Sequence, residues 1–260
     1  MSVQQRARLR HQTEIAGVPL EGGTLQWLVD RDLGAQHVMS YRLTLEPDSA
    51  LSHVHDGAEE VLYVLEGGGE IRVEGATHQV GPGQAVFIPE GAEHTYINTR
   101  SEPLVVVGAM APPLDLDDIR PAMPRLDLSG LTSTSVDESA VAPTMMDERQ
   151  VTPTLMGERS FRVLVSPEVG CRQMTQFTGV IPTGRAPLHA HPHEEAVYIL
   201  AGTGQLWIED QPVGELKAGS IVFFPIGVRH TLENTGRDDM KVLGAFSPAG
   251  SPEAKLPPNH

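Results

Sequence analysis

The sequence predicts an all-β protein made of two similar halves. Residues of the first half recur 136 positions later, as His53 does at His189 and Gly108 does at Gly244. Short runs of β-branched and aromatic residues alternate with Gly, Pro, Asn and Asp, a pattern typical of strands and turns. No long segment shows the 3.6-residue periodicity of an amphipathic helix. A long-period repeat of this kind indicates two copies of one structural unit.

The apolar runs predict corresponding strands in the two halves. In chain order, these strands are 61–65, 85–88, 104–107, 196–200, 221–224 and 241–246. The run from Val61 to Leu65 is apolar at every position, which is typical of a strand that is buried on both faces. We therefore expect a second sheet, the sister domain or another subunit to cover it. A homodimer is one of the assemblies that the sequence allows.

The repeat divides the chain into a first domain over 1–112 and a second domain over 151–260. The segment 113–150 is predicted to be a linker because it is rich in proline, serine and threonine. Its leucines suggest that part of it packs against a domain, and a short helix is allowed near 114–119. The proline-rich tail after Ser247 is expected to be irregular.

Composition restricts the classes of partner. A formal net charge of −15 over 260 residues argues against nucleic acid, because binding to phosphates depends on clustered Lys and Arg. The single cysteine, Cys171, cannot form an internal disulfide, so the chain makes no use of an oxidising compartment. Neither a signal-peptide pattern nor a run of about 18 apolar residues is present. We expect a soluble cytoplasmic protein with a small-molecule partner and no membrane partner.

Each half carries three histidines and one glutamate in the same order. They are His53, His55, Glu60 and His94 in the first half, and His189, His191, Glu195 and His230 in the second. Residues two apart on a strand point to the same face, so the first two histidines of each set can meet at one point. A returning strand places the glutamate beside them. Imidazole and carboxylate donors favour a divalent first-row metal but do not distinguish Mn, Fe, Ni, Cu and Zn.

A second motif, with fixed glycine, proline and asparagine positions, surrounds the last histidine of each set. It reads Gly83-x5-Pro89-x-Gly91-x2-His94-x3-Asn98 in the first half and Gly219-x5-Pro225-x-Gly227-x2-His230-x3-Asn234 in the second. With Gly67 and Gly202 after the glutamates, both halves carry both motifs of the cupin superfamily, which the chain resembles over roughly 20–112 and 155–248. The resemblance implies a bicupin, with two tandem jelly-roll barrels in one chain. Pro47 and Thr183 replace a glycine that the family places in a turn, which leaves the ligands untouched.

The resemblance also implies one metal per barrel, held by the eight residues above. Some cupins have lost their metal, but such proteins usually lack a ligand, and here every ligand position is intact. Four protein ligands on an octahedral ion leave two positions open, as in a catalytic site rather than a closed structural one. The resemblance gives Glu60 and Glu195 a catalytic role as loosely held ligands that move a proton.

Residues that differ between the halves are the candidates for substrate binding. Arg185 shares strand parity with His189, which predicts a guanidinium inside the second barrel that binds a substrate carboxylate. The alternative is that Pro187 interrupts the strand and leaves Arg185 at the barrel mouth. The first-half counterpart is Ser49, which has no charge to offer.

Two further side chains are assigned from the same alternation. Tyr96 shares parity with His94 and is predicted to line the first pocket, where the second half has Leu232. His193 continues the alternation of the second set and is interpreted as a solvated turn residue, with an alternate ligand as the second interpretation.

Three classes of function follow. The ligand set resembles those of quercetinases, acireductone dioxygenase and other cupin dioxygenases, which favours an oxidoreductase acting on a small organic substrate that can be anionic. The same metal can serve a non-redox isomerase, lyase, decarboxylase or hydrolase, and the third class is a metabolite-binding protein without catalysis. Oxalate decarboxylases share the layout, but Ala50 and Ala186 stand where they carry an arginine, which argues against oxalate.

Overall fold

The structure of the protein is a computed structural model that describes residues 7–114 and 145–257. Its described residues contain strands and short 3-10 helices but no α-helix, which confirms the predicted all-β class. Strands β1 to β11 are Arg8–His11, Val18–Leu20, Gly23–Val29, Met39–Leu45, Ser49–His53, Glu59–Glu66, Gly69–Val73, Ala76–Val80, Gln84–Ile88, His94–Asn98 and Leu104–Ala111. Strands β12 to β22 are Met145–Asp147, Thr154–Met156, Arg159–Val165, Thr175–Ile181, Gly184–Arg185, Glu194–Ala201, Thr203–Ile208, Gln211–Lys217, Ser220–Phe224, His230–Asn234 and Met240–Ser247. The 3-10 helices are Gln12–Glu14, Arg31–Leu33, Glu148–Gln150 and Pro167–Val169.

The strands form two jelly-roll barrels, each made of a seven-stranded and a four-stranded antiparallel sheet. In the first barrel the sheet orders are β12-β9-β6-β11-β4-β3-β2 and β5-β10-β7-β8. The second barrel repeats this arrangement with β1-β20-β17-β22-β15-β14-β13 and β16-β21-β18-β19. The predicted pair of tandem barrels is therefore confirmed. No helix in the described part of the chain is long and apolar enough to cross a membrane.

The barrels exchange one strand each, which the predicted boundaries did not anticipate. Strand β1 lies in the predicted first domain but pairs with β20 of the second barrel. Strand β12 lies in the predicted linker but pairs with β9 of the first barrel. Each exchanged strand satisfies backbone groups at an edge that the receiving sheet would otherwise leave unpaired. The short helix allowed near 114–119 lies outside the described residues, apart from Leu114.

The two-faced strand β6 is covered on one side by its own barrel and on the other by the sister barrel. Leu62 and Val64 belong to the core inside the first barrel. Val61 and Tyr63 belong to a separate core that also contains second-barrel residues, among them Phe223. Of the covers that the sequence allowed for this strand, the structure shows two: the second sheet of its own barrel on one face and the sister domain on the other.

Two buried glutamates, one from each barrel, accept hydrogen bonds from the backbone of the other barrel. Glu59 accepts hydrogen bonds from the backbone N–H groups of Arg172, at 3.1 Å, and Gln173, at 2.8 Å, in the second barrel. Glu194 accepts from the N–H groups of Gln36, at 2.9 Å, and His37, at 2.7 Å, in the first barrel. Each of these glutamates immediately precedes a predicted ligand glutamate, so the interface and the two sites share their strands.

Candidate metal centres

The first set of predicted ligands comes from both sheets of the first barrel. His53 ends β5 and Glu60 lies in β6, with His55 in the connection between them. His94 begins β10 and is paired with His53 across the ladder. Gly91, at φ +74°, donates its N–H to the carbonyl oxygen of His55 at 3.2 Å. This left-handed glycine ties the turn before the last histidine to the turn that carries the second.

The four side chains converge on a buried point. Glu60, which is 0% exposed, has its Oε2 atom 2.9 Å from His55 Nε2 and 3.2 Å from His94 Nε2. The Nε2 atoms of His53 and His94 are 2.9 Å apart. One donor atom from each of the four residues lies within 4.8 Å of the other three. The structure therefore brings all four predicted first-barrel ligands together.

The tautomers of this cluster suit a cation. His94 Nδ1 lies 2.9 Å from the carbonyl oxygen of Ala92, which places the ring proton on Nδ1 and leaves the Nε2 lone pair facing the cluster. That lone pair faces His53 Nε2. Without a metal ion the two nitrogens compete for one proton, whereas a divalent metal ion would bind both of them. Three imidazoles and one carboxylate are donors that first-row metals accept. The residues present therefore fit the metal that the cupin resemblance implies.

Two tyrosines hold the other oxygen of the ligand glutamate. The hydroxyls of Tyr41 and Tyr96 both donate to Glu60 Oε1, the second at 2.9 Å. Both rings are buried, at 3% and 1% exposure. Tyr96 was expected to line the first pocket, and it does so beside Glu60. Tyr41 was missed by the sequence reasoning.

A glycine opposite Tyr41 makes room for its ring. Tyr41 and Gly108 are paired across β4 and β11, and a Cβ at Gly108 would come within 2.1 Å of the Tyr41 ring. The second barrel repeats the arrangement with Phe177 and Gly244, at 2.3 Å. The repeated glycine was the one signal in the sequence that a bulky side chain lies against this strand.

The electrostatics of the first site favour a charged Glu60 beside a neutral His53. Burial alone would raise the pKa of Glu60, but the hydrogen bond from His55 and the nearby imidazole of His94 hold that pKa well below its ordinary value. Burial lowers the pKa of His53 to about 3, which keeps this imidazole neutral. Burial and then the charge of Glu60 raise the pKa of Tyr41, which therefore remains a hydroxyl donor.

In the second barrel, all three histidines are oriented by backbone carbonyl groups, as His94 is in the first. Each ring places Nδ1 against a backbone carbonyl oxygen: His189 against Pro187 at 2.8 Å, His191 against Ala254 at 2.6 Å and His230 against Val228 at 2.8 Å. All three therefore carry the proton on Nδ1 and offer Nε2, which is the arrangement that outer-shell partners impose on metal-ligating histidines. Their donor atoms lie within 4.8 Å of one another.

Glu195 does not join these three histidines in one group. It belongs to a second group, with His191 and His193, that overlaps the first at His191. Its Oε2 atom is 3.8 Å from His191 Nε2, and burial raises the pKa of the carboxyl group. The positions that correspond to Tyr41 and Tyr96 are Phe177 and Leu232, so the hydroxyl donors of the first site are missing here. The predicted set of four is thus divided between two groups in the second barrel.

His193 differs from its interpretation as a solvated turn residue. It is 3% exposed, and its ring stacks on His191 at 4.7 Å and on Phe246 at 3.9 Å between centroids. Its Nε2 atom is buried and has no hydrogen-bond partner among the described residues. The interpretation was wrong because Phe246 and His191 enclose the ring, and the alternate-ligand interpretation fits the geometry.

The two sites open into different cavities. The first is lined by apolar side chains such as Leu25, Trp27 and Met110, with the two tyrosines at its inner end. The second is larger, about 700 Å³ with its mouth, and the histidines lie on its wall. It combines apolar residues such as Phe177 with two cations, Arg159 and Lys255.

Arg185 does not enter the second cavity. Its guanidinium lies 4.0 Å from the ring centroid of Trp207 and 3.5 Å from Asp210 Oδ1. Strand parity does not extend from Arg185 to His189, because β16 contains only Gly184 and Arg185 and the chain leaves the sheet before His189. The structure matches the alternative, in which Arg185 lies at the barrel mouth, and the two cations that line the cavity were not predicted from the sequence.

Comparison with known proteins agrees with this architecture. The cupin domain pattern matches residues 41–110 and 177–246, one match in each barrel. The chain belongs to the cupin family. Auxin-binding protein 1 of Arabidopsis thaliana is 31% identical over 74 residues, a match that covers 25% of this chain and only 37% of that protein.

Solved structures show the same fold at low sequence identity. A variant of the oxalate decarboxylase of Bacillus subtilis superposes with a TM-score of 0.75 at 14% identity, covering 92% of this chain and 76% of the other. The formate complex of the oxalate decarboxylase of Lactobacillus farciminis gives 0.74 at 14% identity, with 92% and 85% covered. A putative glyoxylate-induced protein of Pseudomonas aeruginosa gives 0.72 at 18% identity, with 97% and 92% covered. These likenesses concern the fold.

Proposed function

We propose that this bicupin is a metal-dependent enzyme of the dioxygenase type, acting on a small organic substrate with one divalent first-row metal in each barrel. The observation that carries the proposal is the complete group of His53, His55, Glu60 and His94 next to an apolar cavity. A bound metal ion would supply Lewis acidity and, if it is redox-active, a route to dioxygen chemistry.

The protein side chains would bind the substrate and manage its proton. The apolar side chains of Leu25, Trp27 and Met110 line the first cavity and would limit the access of water to a bound substrate. Tyr41 and Tyr96 end at that cavity with hydroxyls that already donate to Glu60 Oε1. An ionised Glu60 can take a proton from a substrate enol, and the two hydroxyls stabilise the carboxylate before that transfer.

The test is oxygen consumption by protein loaded separately with Fe, Mn, Ni, Cu or Zn. The substrates are a panel of enols, catechols and diketones. We expect uptake of dioxygen with at least one redox-active metal and none with zinc. His53→Ala should abolish the uptake, while Lys217→Gln, an exposed change on β19, should leave it intact. No uptake with any metal would contradict the dioxygenase proposal.

A non-redox lyase is the second candidate. The fold similarity to two oxalate decarboxylases and the two cations that line the second cavity favour it. Ala50 and Ala186 argue against oxalate itself. Turnover under strict anaerobiosis with zinc or manganese would support this candidate. A compound that raises the melting temperature and is recovered unchanged would instead support a binding protein without catalysis.

A further inference from the structure

The second cavity has two chemically different parts. Its walls are apolar and partly aromatic, with Phe161, Phe177, Phe224 and Leu232 among the lining residues. Such walls favour a ligand body of aromatic or branched aliphatic character. The polar residues of the lining are Arg159, Ser160, His189, His191, Glu195, His230 and Lys255.

Two cations lie in this lining without an acidic partner. Neither Arg159 nor Lys255 forms an ion pair with a carboxylate among the residues that the structure describes. Both line the same cavity as His189, His191 and His230. Partial burial of Arg159 lowers the pKa of its guanidinium, as expected for a cation that has lost part of its hydration.

Lys255 is held at the cavity by the segment after the last strand. The N–H of Leu256 donates to the carbonyl oxygen of Ala190 at 2.9 Å, and the carbonyl oxygen of Ala254 accepts from His191 Nδ1 at 2.6 Å. These two hydrogen bonds flank Lys255 on both sides. The segment therefore fixes the tautomer of one histidine and presents a cation to the same cavity.

We propose that the second barrel binds a monocarboxylate with an apolar, ring-sized body, whose carboxylate is held by Arg159 and Lys255 and whose body lies against Phe177 and Leu232. The inference rests on the proposed function for the role of this anion as a substrate. The recognition follows from two cations in the lining, apolar walls and a histidine group on one side.

The experiment is calorimetry on the zinc-loaded full chain with three probes. Phenylacetate has the charge and the ring, phenylacetamide has the ring alone, and acetate has the charge alone. We expect phenylacetate to bind at least tenfold more tightly than either of the others. Arg159→Gln and Lys255→Gln should each weaken phenylacetate about tenfold and change phenylacetamide less than twofold. Lys217→Gln, an equal loss of charge outside the cavity, should change neither.

Three results would overturn the inference. They are equal affinity for phenylacetate and phenylacetamide, an equal loss of both in the two variants, and a loss of phenylacetate binding confined to Arg185→Gln. Calorimetry reads binding and not turnover, so the outcomes separate. If binding depends on the charge of the probe but no turnover occurs, the anion site is supported and the proposed enzyme is contradicted. If turnover occurs but binding does not depend on charge, the proposed enzyme is supported and the anion site is contradicted.

Discussion

The two barrels share one ligand pattern but differ in what holds the ligand glutamate. Glu60 receives two tyrosine hydroxyls on one oxygen and lies among three imidazoles at the other. Glu195 has His191 at 3.8 Å and no hydroxyl donor among the residues that the structure describes, because Phe177 and Leu232 occupy the positions of the two tyrosines. The comparison teaches that a motif supplies the ligand types, while residues outside it decide which ligands meet.

The largest expected difference concerns the two glutamates themselves. Glu60→Gln should lower metal affinity in the first barrel about a hundredfold, because it removes the charge that three histidines surround. Glu195→Gln should lower affinity in the second barrel by less than about tenfold, because the three-histidine group does not include it. Manganese titration followed by electron paramagnetic resonance measures both sites. The untouched barrel is the internal control, and equal losses would break the comparison.

Unlike the two ligand glutamates, the two interface glutamates, Glu59 and Glu194, are expected to give equal effects when they are replaced. Glu59→Gln and Glu194→Gln should each lower the free energy of unfolding by about 1–3 kcal/mol, because each removes a buried charge that accepts backbone N–H groups. Denaturant titration measures the loss, with the exposed change Glu158→Gln as control. A large effect from only one of the two would show that the fastening is not reciprocal.

Removing a tyrosine hydroxyl sharpens the comparison further. Tyr41→Phe should lower first-site metal affinity about tenfold, since it removes an outer-shell donor and leaves the ring in place against Gly108. The reciprocal change, Phe177→Tyr, adds a hydroxyl in the second barrel and should raise affinity there. Metal titration of both variants tests the pair. Unchanged affinity in Tyr41→Phe would mean that the hydroxyl does not position Glu60.

The smallest expected difference is between the effects of Glu59 and Glu194 on one buried thiol. Cys171 is 0% exposed, and burial followed by the charge of Glu59 raises its pKa to about 12. We expect iodoacetamide at pH 8 to alkylate the native protein about a hundredfold more slowly than the unfolded chain. Glu59→Gln should accelerate alkylation more than Glu194→Gln, because only Glu59 contacts this loop. Mass spectrometry follows the reaction, and rapid native alkylation would contradict the prediction.

The sequence predicted those parts of the fold that depend on local pattern. The repeat, the turn frames and the uniformly apolar run in β6 predicted two similar barrels and a second cover for that strand. The exchange of β1 was not predictable, because Leu9 is the only apolar residue of Arg8–His11 and its partner edge lies more than 200 residues away.

For the candidate sites too, the sequence predicted the features that depend on local pattern and missed those that depend on long-range contacts. All eight proposed ligands were named from their spacing, since ligand chemistry is visible in residue types. Tyr41 was missed because its position depends on pairing with β11 rather than on any local motif. Lys255 was missed because two long-range hydrogen bonds place it, in a tail whose sequence indicated only irregular structure.

The exchange of β1 and β12 has a consequence for the origin and the dissection of the chain. Two copies of a single-barrel protein, each lending its leading strand to the other, would form a two-fold symmetric, domain-swapped dimer with this same pairing. Fusion of the duplicated gene would make that swap internal. Each half expressed alone then presents one open sheet edge, and the isolated halves are expected to find each other or to aggregate.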